Sequence, residues 1–561
     1  MRVLPLLLCA AYAAASAADA APGPGVGPHE SFAEDLLVKP LPDGRVLLHF
    51  EFAFRRNHTQ HHYHLFPRQL GEIALRYGVD ELHLAFTQGN WREARWGHPP
   101  SASQGVGADV RARIAGTGEH ASRQWRGLTN ALSGVFCASL NFIDESNTAL
   151  PQMAFAEHAH SRAPALRQGY LPRENVCTEN LTPWIKQLPC QSRSGLAALL
   201  NPYRLYNMHF HSMGMSLEAG ASHAGERSEQ AALRYTQYLS VVLDPRTMGL
   251  GSRWSLSELV GMPLAPACPV ADKSTVRILA PPEIDLGVEP LPAEQSKHLG
   301  MDMYTFDLKL PDTAASDIEL VFAAPQHSES AAGATQLPAV AVHRHVTGHG
   351  GSSGGVEATI VNRDSRDINI TYFDSLPWYL RVYSHTLEIH TYAAGSDDDT
   401  VRSGQATRLH PTKMVYVPAI DRGRPSAMEV ALTLPRHSHT VLRYSFDKGF
   451  LKYTEHPPDA NRGFNIRPAI VSYAVDSTLD PGPLYCTSTS GRSSSGACIA
   501  RVYSELFLAN LATPDFSMPY NVITFTCTIL ALFFGRIFNL LTRDFAILDV
   551  EAEGSKRTKT E

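Results

Sequence analysis

A mainly β fold with some α, an α+β class, is predicted for this chain on three observations. Val46, Leu48, Phe50, Phe52 and Phe54 alternate strictly, so one face of that segment is buried in a sheet. Phe66, Leu70, Ile73, Ala74 and Tyr77 then recur at helical spacing. The second half repeats short alternating runs, HTVLRYSF and WYLRVYSHTLEIH among them, between clusters of Pro, Gly, Ser and Asp. A β-rich, two-part ectodomain follows, with an antiparallel, sandwich-like second half and one C-terminal transmembrane helix.

The elements follow in order. Met1-Arg2, an apolar run from Val3 to Ala15 and the small residues Ala15-Ser16-Ala17-Ala18 read as a secretory signal peptide over residues 1–18. LLVKPL and RVLLHFEFAF flank Pro42-Asp43-Gly44 and predict a hairpin. Gly78 ends the helix that follows, and ELHLAFTQ returns to strand alternation. An N-terminal α+β domain is expected over 19–268 and a sandwich-like domain over 269–518. From Tyr520 to Phe538 the chain is apolar apart from Arg536, a length that spans a bilayer, so a transmembrane helix is expected over 519–541. Arg536 and Arg543 at its far end favour a cytosolic tail, 542–561, and a lumenal ectodomain.

Composition narrows the function. The net charge is −6, and no basic patch invites nucleic acid. Of 8 cysteines, Cys9 falls in the signal peptide and Cys527 in the span. Cys137, Cys177, Cys190, Cys268, Cys486 and Cys498 remain in an oxidising compartment, where disulfides outcompete structural zinc.

Catalytic motifs are weak. Gly350-Gly351-Ser352-Ser353-Gly354 matches G-x-S-x-G, but it lies in a Gly/Ser run, without the strand and helix that a nucleophile elbow requires. His58, His61, His62 and His64 cluster without a liganding pattern, and His209 and His211 alternate as on one strand face. Solvated or core histidines are the better reading, and neither metal nor cofactor is expected. Cys137, in the apolar SGVFCASLNF, reads as a buried thiol or half of a disulfide. Cys177 lies in the polar RENVCTENLTPW, open to four readings: nucleophile, metal ligand, half of an internal disulfide with Cys190, or tether to another chain. Asn57, Asn180 and Asn369 head N-glycosylation sequons, although Pro183 after the Asn180 sequon restricts its extended geometry. Asn521, Thr524, Thr526 and Asn539 are expected to make intramembrane polar contacts.

Five strings, LSGVFCASLNFIDESNT, VCTENLTPW, SLPWYLRVYSHTL, PDANRGFNI and TPDFSMPYNVI, together resemble the PIG-T subunit family of the glycosylphosphatidylinositol (GPI) transamidase. The likeness runs from the first hairpin through the span. It implies a β-rich, non-catalytic scaffold subunit of an endoplasmic-reticulum membrane complex. The implied partners are the caspase-like catalytic subunit PIG-K, PIG-S, PIG-U, a GPAA-type subunit and membrane lipid including GPI. It also implies that Cys177 is the residue bonded to PIG-K. The cysteines that vertebrate members carry between Cys190 and Cys268 are missing, and Cys486 and Cys498 have no match, so the family's internal disulfides do not transfer. Cys486 with Cys498, and Cys190 with Cys268, are the candidate internal pairs. The alternative function is a single-pass cell-surface adhesion or receptor ectodomain.

Overall fold

The computed structural model describes residues 30–544, except 58–62, 102–104, 156–164, 220–231, 282–283, 299–300, 311–316, 323–336, 349, 395–401, 458, 476–497, 514 and 516. The chain divides into two compact units. One takes in the described residues up to Phe450 together with Gly463–Leu511; the other takes in Leu451–Arg462 and the described residues from Ala512 onward.

The first unit is built on a large sheet. Its strands in chain order are β1 (Glu30–Pro40), β2 (Val46–Asn57), β3 (Val79–Gln88), β4 (Gly107–Ile114), β5 (Thr148–Ala149), β6 (Leu166–Leu171), β7 (Phe210–Ala219) and β8 (Ala232–Leu243). A small sheet contributes β9 (Arg253–Ser255), β11 (Leu286–Glu289) and β14 (Glu319–Phe322), while β10 (Lys273–Ala280), β12 (Glu294–His298) and β13 (Met301–Asp307) rejoin the large one. The large sheet's eleven strands run β12-β13-β10-β1-β2-β8-β7-β3-β4-β6-β5.

The predicted hairpin is β1–β2. Gly44 at φ 79° makes the turn, and the Gly44 N–H donates to the Leu41 carbonyl at 3.0 Å. Val46, Leu48, Phe50, Phe52 and Phe54 are all fully buried on one face of β2. Three helices cover that face: α1 (Arg68–Tyr77), α2 (Gly118–Phe136) and α3 (Thr178–Lys186). Leu70 and Ala74 of α1, Trp125, Leu128, Leu132 and Phe136 of α2, and Leu181 and Trp184 of α3 fill the core. The helix expected around Leu70 ends, as its sequence indicates, at a left-handed Gly78, φ 60°.

The expected division at 268/269 falls inside this layer. β10 pairs in parallel with β1, from Ala33–Lys273 to Val38–Ile278, and β13 and β12 extend the same sheet. The sandwich therefore begins near Val340. Its first sheet is β15-β16-β22-β18-β19, namely β15 (Val340–Thr347), β16 (Ser353–Asn362), β18 (Leu380–Ala394), β19 (Arg402–Arg408) and β22 (Ser438–Lys448). Its second is β20-β21-β17-β24-β25, namely β17 (Ile368–Leu376), β20 (Lys413–Val417), β21 (Ser426–Leu434), β24 (Ile470–Val475) and β25 (Cys498–Tyr503). A two-stranded ribbon, β23 (Phe464–Ile466) with β26 (Phe507–Ala509), completes the unit. Asp374 of β17 ties the two sheets together: it pairs with Arg344 of β15 at 2.6 Å and accepts from the Tyr444 hydroxyl of β22 at 2.6 Å.

In the second unit, α4 (Ser517–Thr542) is 26 residues long, about 39 Å at 1.5 Å per residue, and it is apolar enough to cross a membrane.

Candidate functional site

Cys177 is the N-cap of α3. Its backbone is extended, φ −145°, and its N–H donates to Asn180 Oδ1 at 3.1 Å. The thiol also donates to Asn180 Oδ1, at 3.4 Å. The Asn180 Nδ2 reaches the other way and donates to the Phe136 and Cys137 carbonyls, each at 3.0 Å. One buried amide thus fixes the start of α3 against the end of α2 and satisfies groups that helix termini leave unpaired. Behind it, the Tyr206 hydroxyl donates to the Cys177 carbonyl at 2.7 Å. Burial, with Cys177 beside it, raises the Tyr206 pKa, so the phenol keeps the proton it donates. Trp184 anchors the far end of α3: its indole N–H donates to the Gly214 carbonyl at 3.2 Å, and its ring meets Phe52 edge-on. The result is a half-buried thiol on a rigid helix start.

Other cysteines sort cleanly. Cys190 is bonded to Cys268, with Cα atoms 5.9 Å apart, so Cys190 is not the partner of Cys177. Cys498 is disulfide-bonded, while Cys486 lies outside the described residues. Cys137, Cys177 and Cys527 are free. Cys137 was expected to be buried and is exposed instead. The reason is local: α2 ends at Phe136, and Cys137 turns the chain outward in the left-handed region, φ 50°.

The weak catalytic candidates do not converge. Ser352 is exposed at the tip of the β15–β16 hairpin, with no helix after it. His209 precedes β7 and is exposed, 3.8 Å from Asp244. His211 is fully buried, stacked on Tyr206 at 5.5 Å, and burial lowers its pKa to about 4. The two histidines share no site. Thiol Sγ of Cys177 contacts no base: its one hydrogen-bond partner among the described residues is the Asn180 oxygen. His64 is exposed, and His58, His61 and His62 lie outside the described residues. No group of three metal-ligating side chains occurs among the described residues.

A family model described as "Gpi16 subunit, GPI transamidase component" matches residues 7–252 and 245–561. The chain belongs to the Gpi16 family of GPI transamidase components. It is 36% identical to the mouse protein named "GPI-anchor transamidase component PIGT", over 94% of this chain and 92% of that one. The human protein of the same name is also 36% identical, over 94% and 93%. "GPI transamidase component GPI16" of Saccharomyces cerevisiae is 29% identical, over 91% and 88%.

Within this Gpi16-family chain, the sequon at Asn180 begins on a buried side chain. Asn180 is 1% exposed and its Nδ2, the atom a glycan would occupy, is held by two carbonyls. Asn369, on β17, is exposed; its Oδ1 accepts from Thr433 at 2.7 Å, while its Nδ2 makes no hydrogen bond among the described residues. Asn57 ends β2, opposite Ala232.

Sequence reasoning missed a cleft of about 350 Å3 between the loops after β3 and the sandwich. Trp91, Glu93, His343, Arg363, Tyr503 and Glu505 line it. His343 Nδ1 lies 2.8 Å from Glu505, a pairing that raises the histidine's pKa. Burial pushes Glu93 up to about 8, against the opposing pull of Arg363 and His343. No local motif marks these residues, because they meet only when the two layers pack.

Two predictions follow from this geometry. Asn180→Ala leaves the two carbonyls and the Cys177 N–H unpaired, at a cost of about 1–3 kcal/mol. Amide exchange over 177–182 should accelerate accordingly; unchanged protection would show that the clasp is idle. For Glu93, the folded chain holds a proton that the unfolded chain releases near its ordinary value of 4.5. Stability therefore falls as pH rises from there to about 8. Glu93→Gln should gain on the parent across that window and match it below, in melting of the full chain in detergent. A constant difference at every pH would contradict the assignment.

Proposed function

We propose that the chain is a non-catalytic scaffold subunit of the GPI transamidase, joined through Cys177 to the caspase-like catalytic subunit PIG-K. It stabilises that subunit for the attachment of GPI anchors to proteins. PIG-S, PIG-U and a GPAA-type subunit complete the complex, in the endoplasmic-reticulum membrane, with the bulk of the chain lumenal. The sequons at Asn57 and Asn369 accord with that orientation.

The observation that carries the reading is the state of Cys177: a free thiol, half exposed, on a helix start held from two sides. A nucleophile would need an adjacent base, and none touches it among the described residues. A tether needs a reachable sulfur in a fixed place, because disulfide geometry is narrow. Full-length membership of the Gpi16 family favours this reading over a cell-surface receptor.

The membrane helix supports a second contact. At about 100° per residue, Asn521, Thr524, Thr528, Ala531, Gly535 and Asn539 fall within one sector of about 80°. Small and polar side chains of this kind pack against other helices in lipid. Thr526 falls outside the sector; its hydroxyl donates to the Val522 carbonyl at 2.8 Å, as the Thr528 hydroxyl within the sector does to the Thr524 carbonyl at 2.7 Å. The remaining faces carry Phe525, Leu530, Phe533 and Leu541, all exposed.

On a non-reducing gel of the purified complex, Cys177→Ser should abolish a linked band near the summed mass of two subunits, whereas Cys527→Ser should keep it. Persistence of the band in Cys177→Ser would place the tether elsewhere. In the span, Gly535→Leu should weaken co-purification of the multi-span subunits, and Leu530→Ala on the opposite side should not. Equal recovery in both variants would refute the helix-facing surface.

A further inference from the structure

The segment between β22 and β23 is the feature that the scaffold reading leaves unused. Leu451–Arg462 leaves the first unit and groups with α4 in the second. One bond ties it to the helix: the hydroxyls of Tyr453 and Tyr520 are hydrogen-bonded to each other. Tyr453 opens a short turn, Tyr453–Glu455, which is steadied at its start by the Lys452 N–H donating to Glu455 Oε2 at 2.7 Å. Tyr520 lies in the first turn of α4. That helix, about 39 Å long, exceeds a hydrocarbon core of about 30 Å, so about three residues at each end stand among the headgroups. Tyr520 therefore falls at the apolar boundary, the depth at which tyrosine collects. Tyr453, bonded to it, is held at the same depth. The apolar residues around this bond face outward: Phe450 is 82% exposed, Met518 69% and Tyr453 41%. Phe450 lies three residues before Tyr453, a reach of at most about 10 Å, comparable with a headgroup layer of about 5–8 Å.

We propose that residues 450–453 are a lipid-contacting segment, in which Phe450 and Leu451 enter the headgroup–acyl boundary beside the span and Tyr453 is clasped to Tyr520. This rests on the reading of α4 as a membrane span. Two features select lipid as the occupant. The clasp sets the segment at boundary depth next to the helix, where an exposed phenyl ring gains by leaving water. The order of side chains, Phe-Leu-Lys-Tyr, is that of an interfacial anchor: apolar bodies enter the boundary while polar tips stay wet. Lys452 is exposed, and its stem lies along the apolar layer with the ammonium in water. The clasp also fixes the rotation of α4 relative to this segment. The sector that carries Thr524 and Gly535 is thereby aimed in one direction, toward the other helices of the complex.

The test uses the purified complex in nanodiscs of phosphatidylcholine. The photoreactive analogue p-benzoylphenylalanine replaces Phe450, Leu451 or, as a reference inside the span, Leu530, one position at a time. Only complexes that recover every subunit as the parent does are irradiated, and their peptides are then mapped by mass spectrometry. Positions 450 and 451 should each gain the mass of one phosphatidylcholine, as position 530 does. Cross-links from 450 and 451 to another subunit, with lipid on 530, would overturn the proposal and give the segment a protein partner instead. Unlabelled peptides at 450 and 451 beside a lipid-labelled 530 would overturn it as well. Failure of the membrane reading itself is told apart by position 530, which would then gain no lipid.

Discussion

The junction between α2 and α3 depends on one buried amide. Asn180 sits where the last turn of α2 meets the first turn of α3, and helix ends present unpaired carbonyls and N–H groups at such a place. A single side chain with two donors and an acceptor meets both ends at once. Aspartate could cap α3 but could not donate to α2. The same side chain accepts from the Cys177 thiol, and its Nδ2 is taken up by the two α2-end carbonyls. Together with the Tyr206 hydroxyl on the Cys177 carbonyl, this residue fixes where the thiol sits.

The ground beneath it is made by long-range closure of the large sheet. β10 returns more than two hundred residues later to lie parallel with β1. Glu34 of β1, buried at 2% exposure, accepts from the Leu196 and Cys268 N–H groups and the Ser274 hydroxyl. That carboxylate gathers the loop after α3 and the strand β10 to one point. The Cys190–Cys268 bond then locks them, closing a loop of 78 residues, a constraint worth about 4 kcal/mol in chain-entropy terms. Without this closure the helix carrying Cys177 would have a sheet but no fixed loop behind it.

The two layers of the first unit meet through an arginine-rich seam. Arg467 lies over the Tyr170 ring of β6 and the Phe373 ring of β17, and Glu429 accepts from the Gln152 and Met153 N–H groups. Arg344 and Asp374 beside it are fully buried. Buried ion pairs of this sort add little net stability, but they are costly to break, so they fix geometry more than they strengthen it. The cleft holding Glu93 and His343 opens along this seam, which is why its electrostatics depend on layer packing.

The sequence by itself determined what lies within a dozen residues. The alternation of Val46 to Phe54, the spacing of Phe66 to Tyr77, the left-handed Gly78 and the apolar run around Phe533 are local signals, and each appears where its period places it. The long family strings also identified the chain, because they encode a whole surface at once. Tertiary structure decided the rest. The sheet boundary moved past 268 because strand pairing across two hundred residues leaves no local trace. Asn180 carries a local motif, yet its burial depends on a helix more than forty residues away. Periodicity records which face a residue takes within its element; only packing determines what that face meets.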